Sequence, residues 1–297
     1  MQSLYALHNS GQELAPGQAS KLLNKQFDQT IALFSFLVYH ILETARFAET
    51  DARNRASKHL PSQADMNVPV KVAGNSFLWK MMESNMYKDC LALYKPDILA
   101  DAEWVRKLYL LLSESTLYSI YNDAPGRERK SELEILEFIF SDLMLANEDF
   151  TQYVEDNFNN WDDDADMLRL LIMHFMQKPQ AFKQQEMVGK DKFDFAVQLL
   201  ETVVSRRGQL DELIKPKLKN WDPERLAQLD TILLEMGVCE FLYFETIPIK
   251  VTINEYIDLA KEYSTQQSGQ FINGILDNLR KELEANEQIH KVAFTRQ

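Results

Sequence analysis

The sequence predicts an all-α protein: a helical bundle at the C-terminal end, with a large helical region ahead of it or inserted into it. Three observations carry the prediction. Turn formers are scarce, with nine Gly and nine Pro in 297 residues, so elements are long and connections few. Leu, Glu, Lys, Gln and Ala, the good helix formers, are abundant. Near the end of the chain, three amphipathic segments follow one another with short connections, and such segments bury their stripes in a bundle.

Met1 to His8 reads as a helix without a preceding cap, and Asn9-Ser10-Gly11 stops it. Residues 27–48 form a strongly apolar helix, with Ile31, Phe34, Leu37, Val38, Ile41 and Leu42 at helical spacing. Arg53 to Pro69 is polar, contains two prolines and reads as a loop. A helix with Phe77, Leu78, Met81 and Met82 follows, then a break at Tyr94-Lys95-Pro96-Asp97. Residues 101–121 return to helix, and Asp123-Ala124-Pro125-Gly126 is a turn. Ser131 with Glu134 has the spacing of a capping box and opens a helix carrying Leu133, Leu136, Ile139, Phe140 and Leu143. A polar stretch, 157–166, surrounds Trp161, and a further helix over about 164–177 ends at Lys178-Pro179.

The remaining third is clearer. Asp191 to Arg206 is helical, Gly208 ends that helix, and a short one covers about 209–215. Asp222-Pro223 is a strong start, Asp as the cap and Pro in the first turn, for a helix to about Phe244. Pro248 precedes a helix whose Ile253, Ile257 and Ala260 share a face. Ser268 is expected to cap the last helix, striped by Ile272, Ile275, Leu276, Leu279 and Leu283. No repeat of fixed period is evident.

Charge and cysteines narrow the classes of function. A net charge of −13 argues against non-specific nucleic-acid binding by the whole surface. A local RNA site, especially one shared with a basic partner, remains compatible with it. Two cysteines, Cys90 and Cys239, make neither a disulfide framework nor a zinc site and suit a reducing cytoplasm. The first residues lack a basic stretch followed by an apolar core, as a signal peptide would have. The apolar run Ile31 to Leu42 is too short to span a bilayer, so no membrane association is expected.

The last third also carries a dense string of motifs. They are Leu229-Asp230-Thr231-Ile232-Leu233, Ile247-Pro248-Ile249-Lys250-Val251-Thr252-Ile253-Asn254-Glu255, Asp258-Leu259-Ala260-Lys261 and Phe271-Ile272-Asn273-Gly274-Ile275-Leu276-Asp277. In this order and spacing, together with Gln2-Ser3-Leu4-Tyr5-Ala6-Leu7, they resemble the NusB family of transcription antitermination factors. The resemblance divides the chain into a first helix (1–12), a helical insertion of unassigned role (13–186), a NusB-like domain (187–284) and a polar tail (285–297). It implies two stacked helical bundles, no catalysis and no cofactor. It also implies two partners, single-stranded boxA-type RNA and the small-subunit ribosomal protein NusE, and through them an indirect link to the RNA polymerase elongation complex. The RNA-binding positions it implies are Tyr5, Lys261, Gln267, Ser268 and Phe271, with Asp230 facing NusE. Amide side chains read the edges of unstacked bases and an aromatic ring offers a stacking platform. On pattern alone Phe271 reads as a core aromatic, Lys261 and Asp230 as solvated helix residues, Asn254 and Glu255 as caps, and Gly274 as a site of close helix packing.

Three departures from the family pattern stand out. Glu235 stands where relatives often carry arginine, and a charge reversal near an RNA face would weaken binding. The arginine-rich stretch that precedes the Gln-x-Leu-Tyr segment in the family is not seen before Met1, and a start upstream of Met1 is expected. The third departure is the insertion itself, residues 13–186, where relatives have a short connection; from Ser131 to Asp166 it is heavily acidic and would repel RNA, and it reads either as a solvated face or as a dock for a basic partner. A second reading of the chain is therefore a helical protein-interaction adaptor without RNA binding. Enzyme signals are poor. Glu287-Gln288-Ile289-His290 has di-iron spacing, but that site needs a second such motif and two further glutamates. The five histidines pair with no visible nucleophile, and there is no Gly-rich phosphate loop.

Overall fold

The computed structural model describes residues 1–11, 15, 17–183, 187–218, 227–265 and 267–292. Among them there are fifteen α-helices and no strand, an all-α fold. The expected start at Asp222-Pro223 lies outside the described residues. Contacts divide the chain into two units, Met1–Lys25 with Lys190–Gln297, and Gln26–Gly189.

The first unit is built around a helix with no polar face. Helix α1 (Gln2–Ser10) ends at Gly11, whose left-handed φ of 61° a glycine adopts without strain. Helices α12 (Lys190–Ile214), α13 (Gln228–Tyr243), α14 (Ile249–Tyr263) and α15 (Ser268–Ala285) complete it. From Ile232 to Phe241 every residue of α13 is buried. A helix buried all round occupies the centre of a bundle, and α13 packs against α1, α12, α14 and α15. Gly237 is the point of closest approach: a Cβ there would lie 2.9 Å from Leu276 Cδ2 and 3.3 Å from Tyr256 Cδ2. The close packing expected at Gly274 is thus found at Gly237, since nothing lies within 4 Å of a Cβ at Gly274. Helix α12 also runs on through Gly208 without a break. One glycine costs a helix about 1 kcal/mol, and buried Val203, Leu210 and Ile214 on one face hold the helix together across it.

The second unit contains most of α2 (Gln18–Ala56) and the helices α3 (Gln63–Met66), α4 (Ser76–Glu83), α5 (Asn85–Tyr94), α6 (Pro96–Leu99), α7 (Ala102–Glu114), α8 (Thr116–Asp123), α9 (Arg129–Phe138), α10 (Glu148–Asn157) and α11 (Trp161–Gln177). A π-helical stretch, Ile139–Leu145, follows α9 directly. Helix α2 is far longer than the apolar run suggested. An 18-residue window of it is apolar enough to cross a membrane, with mean hydropathy 1.4, but 72% of that window is buried within the protein, as in a core helix. Phe34, Phe36, Leu37, Ile41 and Leu42 anchor the core of this unit.

Other expectations need correction. The expected loop from Arg53 starts later, because α2 continues to Ala56, and it contains the turn of α3, closed by a Ser62–Asp65 capping box. The helix expected over 101–121 is two helices: the Ser115 hydroxyl accepts from Tyr118 N and starts α8. Ser131 is no cap. Helix α9 begins at Arg129, and the Ser131 hydroxyl donates back to Glu128 O. The buried Glu132 fixes that start from a distance: its carboxylate accepts from Ser76 N, Tyr121 Oη and Arg127.

Candidate functional site

The residues singled out in the last third meet where α14 turns into α15. Helix α14 starts behind Pro248, with the Thr252 and Tyr256 hydroxyls both donating to the buried carboxylate of Glu240 on α13. Burial raises the Glu240 carboxyl, and those two hydrogen bonds oppose the shift. The chain leaves α14 at Ser264, crosses a short loop and re-enters helix at Ser268. Asp230, in the first turn of α13, holds that loop. Its carboxylate accepts from Ser264 Oγ at 2.8 Å and from Ser268 Oγ at 3.0 Å. With both serine protons given to Asp230, the Ser268 oxygen is left to accept from Thr265 N at 3.2 Å.

Asp230 is therefore not a solvated helix residue; it is 6% exposed and faces inward. Ser268 is buried as well, as the first residue of α15 rather than its cap; the cap position belongs to Gln267. Phe271, one turn further on, is 7% exposed and packs in the core of this unit. A ring placed there shows no face to an unstacked base. Two of the expected RNA contacts do face solvent at this corner. Gln267 is exposed. The Lys261 side chain is 61% exposed and pairs with Asp258 at 2.9 Å. Its stem lies over Gly269, where a Cβ would come within 3.1 Å of Lys261 Cγ, so the glycine lets α14 bring its lysine across the start of α15. Tyr5 is exposed on α1, a helix that packs on α12 and α13. Asn254 and Glu255 are not caps: they lie exposed along α14, five and six residues after its start.

Glu235 also points inward. Its carboxylate lies 3.5 Å from Arg207 Nε beside a cavity of about 50 Å³ between α1, α12 and α13. Burial raises its pKa, and Arg207 opposes that. Arg207 Nη2 also donates to His8 Nε2 at 2.8 Å. Burial, then Arg207, lowers the His8 pKa, against Asp211. Arg207 thus offsets part of the negative charge of Glu235 inside the unit, and burial outweighs it. Sequence reasoning missed this arrangement because Arg207 and His8 are distant in the chain. It also missed Lys291, which donates to the Glu240 and Phe244 carbonyls at the C-terminal end of α13 at 2.8 and 2.7 Å. The Glu287–His290 spacing falls past the end of α15, with Glu287 at φ 53°, so the two share no helix face.

Comparison with known proteins agrees with the motifs. A sequence profile of the NusB family matches residues 156–281. The transcription antitermination protein NusB of Bacillus licheniformis is 35% identical over 107 residues, 36% of this chain and 83% of the relative. The proteins of the same name from Finegoldia magna and Listeria innocua are 36% and 37% identical, each over 36% of this chain and over 79% and 82% of the relative. A solved structure of T. maritima NusB is 31% identical and covers 38% of this chain and 83% of its own, with a TM-score of 0.30.

Proposed function

The chain belongs to the NusB family of transcription antitermination proteins, and from that premise we propose that it binds single-stranded boxA-type RNA jointly with NusE in the cytoplasm, through the corner between α14 and α15. The observation that carries this reading is the lock of Asp230 on Ser264 and Ser268. It fixes a loop that leaves Gln267 and Lys261 both exposed at this corner, an amide to read base edges and a cation for a phosphate. Ser268 and Phe271 serve the interface from beneath, as the anchor and the floor of the loop. Tyr5 extends it on α1. Asp230 reaches NusE indirectly, through the loop it holds. No reaction is catalysed and no cofactor is used. Bound NusE links the RNA to the polymerase elongation complex.

Electrostatics favours a joint mechanism. A chain of net charge −13 gains little from phosphates alone, whereas a basic ribosomal protein supplies the missing positive charge and is itself attracted to an acidic partner. Titration of a fluorescent boxA-type RNA with the chain, with and without NusE, at two salt concentrations tests this. The reading requires weak binding alone and tight, sequence-dependent, salt-sensitive binding with NusE. If NusE is bound but RNA is not, the chain is a protein adaptor.

A further inference from the structure

Among the described residues, nothing covers an apolar face of helix α11. Leu170 is 73% exposed and Met167 36%. With Asp163 and Asp166 they fall at i, i+3, i+4 and i+7, one side of the helix. The opposite side is committed to packing: Trp161, Leu168, Ile172, Phe175 and Met176 are buried, and Asp164 accepts from Thr30 Oγ1 and Asn160 Nδ2.

The charge around the bare face is predominantly negative, with Arg169 the one exposed lysine or arginine on α11. Between Lys130 and Arg169 the chain contains no lysine or arginine, and Glu155, Asp156, Asp162 and Asp166 are exposed across α10 and α11. That sign selects the occupant. A second copy would bring the same carboxylates together. An anionic bilayer and RNA are repelled by the same field. A cationic polypeptide is attracted, and one with apolar residues at helical spacing would also cover Met167 and Leu170. We propose that the α11 face docks a basic amphipathic helix of a partner protein, with Met167 and Leu170 as its apolar anchors and Asp163, Asp166 and the carboxylates of α10 as its charged rim. This role falls within the second unit and does not depend on the RNA reading of the α14–α15 corner.

The test uses the full chain and a fluorescent 18-residue peptide of Lys and Leu patterned as an amphipathic helix. Controls are a Lys–Ser peptide of equal charge and phosphatidylserine vesicles. The Lys–Leu peptide is expected to bind, more weakly at high salt, and to slow amide exchange over residues 161–177. The double variant M167S/L170S should bind about tenfold more weakly or worse, because two apolar contacts are lost, and E155K/D166K should weaken binding mainly at low salt. Both variants change exposed side chains, and unchanged circular dichroism checks their fold. Equal affinity of parent and M167S/L170S, equal binding of the Lys–Ser peptide, protection elsewhere than α11, vesicle binding, or self-association through this face would each overturn the proposal.

Discussion

The Asp230 carboxylate accepts the Ser268 hydroxyl at 3.0 Å across 38 residues of chain, and it is this bond, with its neighbour from Ser264, that joins the first turn of α13 to the loop before α15. Replacing Asp230 by Ala removes an acceptor shared by two hydroxyls in a buried place. The loss should be about 1–3 kcal/mol. Asp230→Asn, which keeps one oxygen acceptor, should lose less. Urea unfolding of the two variants checks the order; equal losses would mean that the carboxylate is not holding the loop.

Two glycines in the same unit should respond in opposite directions. Gly274 has open space around it, so Gly274→Ala should stabilise by about 0.5–1 kcal/mol through helix propensity. Gly237→Ala gains the same propensity but sets a methyl 2.9 Å from the Leu276 side chain, which is fully buried. Overpacking of that kind costs about 1–3 kcal/mol, so the variant should be less stable than Gly274→Ala, and Gly237→Val less stable again. Melting temperatures of the three variants decide the matter.

In the second unit His40 gives stability a pH dependence. Its ring is buried among Phe36, Phe150 and Tyr153, and its Nδ1–H donates to Phe36 O at 2.8 Å. Burial lowers its pKa to about 4 from the ordinary 6.5, against the Phe36 bond and Asp101. The folded protein therefore takes up the proton later than the unfolded chain does. The contribution is fully present above pH 6.5 and is lost as pH falls from there to about 4, by about 3 kcal/mol in all. His40→Phe should flatten this part of the stability profile. A profile unchanged by the substitution would contradict the assignment.

The segment after α15 is more than a polar tail. Lys291 caps carbonyls at the end of α13, and Ile289 packs against the core of that unit. Lys291→Ala should destabilise by about 1 kcal/mol or somewhat more, and a chain ending at Ala285 should lose at least as much. Chemical denaturation of both reads the difference.

Helix type and the stripes of α14 and α15 were legible in the sequence because apolar spacing records which face is buried. Features set by distant residues were not. Ser131 and Glu134 have the spacing of a cap, yet the start of α9 follows from the partners of Glu132, contributed by α4, α8 and the turn before α9. Gly208 resembles a stop, yet the burial of Val203, Leu210 and Ile214 carries the helix across it. Phe271 and Asp230 carry the family motif, and their burial depends on how α13 meets α15, which spacing alone does not encode. Gln267 and Lys261 could be named from the motif, but only the fold places them at one corner.

The central claim is tested most directly by comparing the parent chain with the double variant K261A/Q267A, each with NusE, in a titration of boxA-type RNA. Both side chains are exposed, so the fold should be kept. The double variant should bind RNA about tenfold more weakly, with a shallower salt dependence because one cation is gone, and keep its affinity for NusE. RNA affinity equal to that of the parent would contradict the placement of the RNA interface at the α14–α15 corner.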